Sequence, residues 1–146
     1  KELTNKNFEV LLYDNFQKIN ENTDILLINT YGETLKFYNA SRCVFLGKSL
    51  VKSLKEDSGQ NPIEPARLGC AIFHGPNVIN FNEVYEFLKS LGVANKITSP
   101  EELSQSIVEE LKRNKEKNED ILKKIENYGL NTLNNVLREI KIYINH

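Results

Sequence analysis

The sequence has 146 residues, 40% of them hydrophobic, and a formal net charge of −1. That length gives one domain with enough apolar material for a real core. The near balance of charge excludes a global basic field of the kind that binds nucleic acid, and no apolar run approaches the roughly 18 to 20 residues of a membrane span. The cysteines, Cys43 and Cys70, fall in predicted strands without spaced Cys or His partners, so they read as core thiols of a reducing compartment. The chain begins at Lys1 rather than methionine, and we read it as a piece of something longer.

In chain order, residues 1–7 are polar and uninformative. Phe8–Tyr13 reads as a strand and residues 14–23 as a polar connection. Asp24–Asn29 is a continuous apolar run, as a buried parallel strand should be. Thr30 or Gly32 opens a short helix with Leu35, Phe37 and Tyr38 as its apolar positions. Arg42–Leu46 is the next strand, and a long loop spans Gly47–Gln60. A short helix, the strand Cys70–Phe73 and a loop through Gly75-Pro76 follow. Asn80–Leu91 is an amphipathic helix with Phe81, Val84, Leu88 and Leu91 at helical spacing, capped and stapled at Asn80-Phe81 and ended by Gly92. Val93–Ile97 is a short strand. Ser99 caps the next helix, with Pro100 at N1 and Glu102 at N3, and Leu103, Ile107 and Leu111 point inward. Residues 114–118 interrupt it. Ile121–Ile144 is a long helical pattern carrying Ile121, Ile125, Leu133, Leu137, Ile140 and Ile144, with Gly129 as a kink point. Alternating strands and helices predict an α/β fold: a Rossmann-like parallel sheet with helices on both faces and a long C-terminal helix.

The most unusual stretch is Ser58–Gly69, which packs a glycine, two amides, a glutamate and two prolines ahead of an apolar strand. Asn61 fits as N-cap, Pro62 as N1 and Glu64 as N3, a pattern in which Glu64 only ties down a helix start. Pro65 then falls at N4, where its missing N–H removes the first intrahelical bond, and it pushes Glu64 from helical φ/ψ. On that second reading the first turn is irregular and the Glu64 carboxylate accepts from a ligand hydroxyl. In parallel sheets ligands bind in loops at the carboxyl ends of strands. Thr30–Glu33, Gly47–Ser49, Gly59–Glu64 and Gly75–Asn77 all fall there, which favours the ligand reading.

Those segments carry a resemblance. Gly59-Gln60-Asn61-Pro62-Ile63-Glu64-Pro65-Ala66 resembles the Gly-His/Gln-Asn-Pro-Leu-Glu-Pro-Ala signature of the 3-deoxy-D-manno-octulosonic acid (Kdo) transferases. Thr30-Tyr31-Gly32-Glu33-Thr34-Leu35 resembles that family's Thr-x-Gly-Glu-Leu. Val44–Val51 resembles its Phe-Val-Gly-Gly-Ser-Leu, and Gly75-Pro76-Asn77 with Asn80-Phe81 its Gly-Pro-His and Asn-Phe. Order and approximate spacing hold from about Asp24 to Glu102. The resemblance implies the C-terminal, nucleotide-sugar half of a two-domain GT-B glycosyltransferase that moves Kdo from CMP-Kdo to a lipid A precursor. The acidic base, the acceptor site and a membrane anchor at the cytoplasmic face of the bacterial inner membrane would lie in an N-terminal half that is not in this sequence. The donor-binding set it implies is Gly32, Glu33, Ser49, Gly59, Gln60, Asn61, Glu64, Gly75, Pro76 and Asn77. Glu64 would hold the ribose hydroxyls, and the amides near Asn61 the departing phosphate. No Asp-x-Asp motif is present, in keeping with a metal-independent transferase without a cofactor, and no catalytic residue is assigned within this chain.

Each group has a plainer role beside that one. An acidic Glu33 suits a helix dipole as well as a ligand. Gly47-Lys48-Ser49 ends like a phosphate loop, but Arg42 stands where such a loop needs its first glycine, so a Walker A site is rejected. Lys48 occupies a family glycine position, and it either pairs with phosphate or is solvated. Ser49 is a hydroxyl donor to the ligand. Residues 52–57 form a charged insertion, read as a surface loop, and Ser58 replaces a family glycine. Gln60 replaces histidine and orients rather than titrates. His74 is structural or at the ligand edge. The alternatives are a non-catalytic nucleotide-binding module, or another GT-B enzyme such as a sugar-nucleotide epimerase. The C-terminal helix is expected to pack on the absent half, which would leave apolar surface exposed here.

Overall fold

The computed structural model describes residues 4–13, 19–50, 59–114 and 118–144. The chain forms two compact units that divide between Thr34 and Leu35. In the first, β1 (Val10–Leu12) and β2 (Ile25–Leu27) form a two-stranded parallel sheet in the register Val10 to Ile25. The Asp24 carboxylate accepts from Glu9 N at 2.9 Å and fixes the start of both strands. The apolar run expected as a fully buried strand is shorter than predicted, and Leu27 and Ile28 are exposed.

In the second unit, β3 (Cys43–Leu46), β4 (Ala71–His74) and β5 (Ala94–Lys96) form a parallel sheet in that order. Its crossovers carry α2 (Ile63–Arg67) and α3 (Asn82–Ser90). Sequential parallel strands with right-handed crossovers place both helices on one face. Side chains alternate across each strand. Leu46, Ile72 and Ala94 face a core shared with Ala66, Val78, Tyr85, Leu88 and Ile125. On the other face, Phe73 and Asn95 line a space closed by Glu102, Ser106 and Arg113 of α4 (Pro100–Lys112) and its end. Helices therefore cover both faces, as the alternating pattern predicts.

Helix ends follow the glycines. Gly69 (φ +80°) and Gly92 (φ +71°) stand just past α2 and α3. In each case the glycine N–H and the one after it bond back into the last turn: Gly69 to Ala66 O and Cys70 to Pro65 O, then Gly92 to Lys89 O and Val93 to Leu88 O. This is the Schellman arrangement that a left-handed residue permits. Cys70 is buried with its sulfur 3.1 Å from Tyr38 O, at the end of α1 (Thr34–Ala40). Both cysteines are thiols, neither of them in a disulfide. Arg42 donates from Nη2 to Glu110 O and Arg113 O, which holds the end of α4.

Several local expectations are corrected. The helix expected from Thr30 or Gly32 begins at Thr34, because Gly32 has φ +84°, outside a right-handed turn. Its Leu35 is exposed. The helix expected from Asn80 is entered through a 3-10 turn at Ile79–Phe81, and no side chain caps α3. Leu111 is exposed rather than inward. Each i+4 step overshoots a full turn by about 40°, so a 103, 107, 111 row drifts off the buried stripe. α5 (Glu119–Ile144) runs unbroken through Gly129. Ile121 and Ile125 pack into the core and Phe87 stacks on Tyr128 at 4.2 Å, but Leu133, Leu137, Ile140 and Ile144 are exposed. No helix among the described residues is long and apolar enough to cross a membrane.

Candidate functional site

The carboxyl ends of β3 and β4 bring together Gly47–Ser49, Gly59–Glu64 and Gly75–Asn77. Gly32 and Glu33 follow β2 in the other unit. There Thr30 Oγ1 donates to the Glu33 carboxylate at 3.0 Å, ahead of α1. Residues 52–57 and Ser58, the insertion and the replaced family glycine, lie outside the described residues.

Ser49 clamps the loops after β3 and β4. It is fully buried, its hydroxyl donates to Leu46 O at 2.6 Å, and it accepts from Gly75 N at 2.8 Å. Asn77 N donates to Ser49 O at 2.9 Å. A hydroxyl has one proton, and that proton is spent on Leu46 O, so Ser49 shapes the loops instead of donating to a ligand as expected. Gly75 lies so close that an added Cβ would meet Ser49 O at 2.3 Å and Leu50 N at 2.6 Å. Only glycine fits there. Pro76 is exposed beside it. Lys48 adopts φ +62°, the left-handed region that favours glycine.

The loop before α2 is shaped as closely. Gly59 has φ +92°, and a Cβ there would meet Val78 Cα at 3.2 Å. The Gln60 carbonyl accepts from Tyr85 Oη at 3.0 Å, while Gln60 itself is exposed. Tyr85 is 2% exposed and its ring lies 4.3 Å from that of His74. His74 Nδ1 is 2.8 Å from Gly75 O. That contact fits an Nδ1–H tautomer, and burial pushes the imidazole pKa below its ordinary value. His74 is therefore a buried structural ring. Burial also drives the Tyr85 phenol far above its usual range, so it is a donor and never an anion near neutrality. Tyr85 was missed by the sequence reading, which took Phe81, Val84, Leu88 and Leu91 as the stripe. The signal was present in its i+4 spacing from Phe81.

The start of α2 matches part of the expectation. Asn61 Oδ1 accepts from Ile63 N at 3.0 Å, as an N-cap amide should. Pro62 already has helical angles, φ −85° and ψ −7°. Pro65 has no N–H to give Asn61 O, so the first helical bond is Ala66 N to Pro62 O at 3.2 Å. The helix thus registers from Ile63, two residues after the side chain that caps it. The Glu64 side chain does not complete a capping box. It is exposed, and among the described residues no donor or cation is bonded to it. Its charge is felt by Tyr38, whose phenol is raised first by burial and next by Glu64. Among the described residues no three His, Cys, Asp or Glu side chains converge as a metal site would require. A cavity of about 190 Å³ lies at the opposite ends of the strands, among Gly69, Cys70, Gly92, Arg113 and Ile121.

No protein-family model matches the chain. The 3-deoxy-D-manno-octulosonic acid transferase of Haemophilus influenzae is 32% identical over 100 residues, which are 68% of this chain. The match spans 22% of that relative's length. A crystal structure described as the C-terminal CMP-Kdo binding domain of WaaA from Acinetobacter baumannii superposes with a TM-score of 0.69 at 22% identity, over 85% of this chain and 62% of that one. The fold is thus that of the WaaA C-terminal domain. The chain belongs to the Kdo transferase family, as its motifs between Asp24 and Glu102 indicate.

Proposed function

We propose that this chain is the donor-binding part of a Kdo transferase of the GT-B type, which moves Kdo from CMP-Kdo to a lipid A precursor. The observation that carries the reading is the Glu64 carboxylate. It sits at the carboxyl ends of the strands, inside the segment that matches the family signature, and no capping bond spends it. A carboxylate beside a tight glycine loop is suited to accept from paired ribose hydroxyls. Gly59, Gly75, Pro76 and Asn77 let the backbone approach the nucleotide closely.

In the full transferase, a base in the other half would deprotonate the acceptor hydroxyl. The donor half positions CMP-Kdo and stabilises the CMP as it leaves. No metal enters the reaction in this reading, so chelation should leave transfer unchanged. Acceptor lipid and the cytoplasmic face of the inner membrane would be met through that other half.

A titration of this chain with CMP, UMP and AMP, followed by amide chemical shifts, tests the assignment. CMP is expected to move resonances at Gly59–Glu64 and Gly75–Asn77 more strongly than the other two. Equal responses to all three, or none at millimolar CMP, would contradict it.

A further inference from the structure

We propose that Tyr85 is a positioning residue for donor binding, setting the height of the loop that presents Glu64 through its bond to the Gln60 carbonyl. The inference rests on the donor reading above and adds a residue to it. Tyr85 links the loop before α2, which leads into Glu64, to the end of β4. Its hydroxyl bonds Gln60 O at 3.0 Å, four residues before Glu64. Its ring packs on His74 at 4.3 Å, and His74 in turn meets Gly75 O at 2.8 Å. α3 thus acts as a post from which one side chain bonds the loop before α2 and packs on the last residue of β4.

The chemistry suits a fixed spacer. A rigid ring with two side-chain torsions loses little entropy on packing. A phenol held neutral always presents its proton. Without that donor the part-buried Gln60 carbonyl must take another partner, which shifts the loop. Gly59, the residue before Gln60, lies against Val78, so two adjacent residues of the loop are fixed. Ser49 performs the matching service for the loops after β3 and β4.

The test is a set of CMP affinities on the full chain. Tyr85→Phe keeps the ring against His74 and deletes only the donor. It should weaken CMP binding about fivefold to tenfold, and the double variant Glu64→Ala/Tyr85→Phe should bind no worse than Glu64→Ala, because a loop that presents nothing has nothing to misplace. Ile125→Val, a change in the same core that leaves the Tyr85–Gln60 bond in place, supplies a variant of comparable stability loss and should keep wild-type affinity. Wild-type affinity in Tyr85→Phe, a loss no larger than in Ile125→Val, or losses that simply add in the double variant would overturn the positioning role and leave the donor reading intact. A wild-type chain that does not bind CMP would overturn both.

Discussion

Two helices of this molecule open on nearly the same sequence and use it differently. α4 begins Ser99-Pro100-Glu101-Glu102, and α2 is entered through Asn61-Pro62-Ile63-Glu64. At α4 the capping pattern is complete. Ser99 Oγ accepts from Glu102 N at 3.2 Å, and the Glu102 carboxylate turns back to Thr98 N at 2.7 Å and Thr98 Oγ1 at 2.8 Å. Those bonds hold its pKa below the ordinary carboxylate value. At α2 only the amide half of the device operates, through Asn61 and Ile63 N. The carbonyl ahead of Asn61 is already engaged by Tyr85, and Pro65 shortens the helix from within. One glutamate builds a helix; the other is left at a mouth lined by glycines. A carboxylate that folding does not need is where a ligand contact is most economically placed.

The comparison can be broken most severely at Gly75. Gly75→Ala forces a methyl into the Ser49 and Leu50 backbone and should cost about 3 kcal/mol, by analogy with overpacked cores. Chemical denaturation reads this directly, and the loops that carry the α2 side of the contrast should lose CMP with it. Next come the caps themselves. Ser99→Ala and Asn61→Ala should each cost about 1 kcal/mol, measured by urea unfolding, but only the second should also weaken CMP binding. An equal effect of both on affinity would erase the distinction. Relieving the left-handed Lys48 with Lys48→Gly should stabilise by about 0.5 kcal/mol.

Acid gives the smallest and most discriminating signal. The lowered Glu102 pKa contributes stability above the ordinary carboxylate range that is lost as pH falls through the folded value. Glu102→Gln should flatten that part of the stability curve. His74 adds a second segment. Its folded pKa is depressed, so stability is present above the unfolded value near 6.5 and is lost as pH falls from there towards the folded value. His74→Asn should remove that segment in a melting series between pH 7 and 5.

Much of the second unit was legible because its signals are local. Apolar runs marked β3 and β4, Gly92 marked the end of α3, and the Ser-Pro-x-Glu order marked α4. What was not legible depends on partners distant in sequence. Ser49 offers a hydroxyl in any reading, and only the approach of Gly75 shows that its proton is spent inside the fold. Tyr85 fits an ordinary buried stripe until its hydroxyl is seen to meet Gln60 O. The pairing of β1 with β2 apart from the other strands was not written in the uniform strand–helix alternation, which suggested a single sheet. The exposed row Leu133, Leu137, Ile140 and Ile144 follows the helical period that predicted it, but periodicity names a face without naming what lies against it.

The measurement that bears most directly on the contrast is a paired one: melting temperature and CMP affinity for Glu64→Gln and Glu102→Gln against the unsubstituted chain. A spare Glu64 predicts that Glu64→Gln melts with the parent and loses at least about tenfold in affinity, roughly 1.4 kcal/mol. Glu102→Gln should melt lower and bind as well as the parent. The account is contradicted if Glu64→Gln melts lower and binds CMP unchanged, for then Glu64, like Glu102, serves the helix and not a ligand.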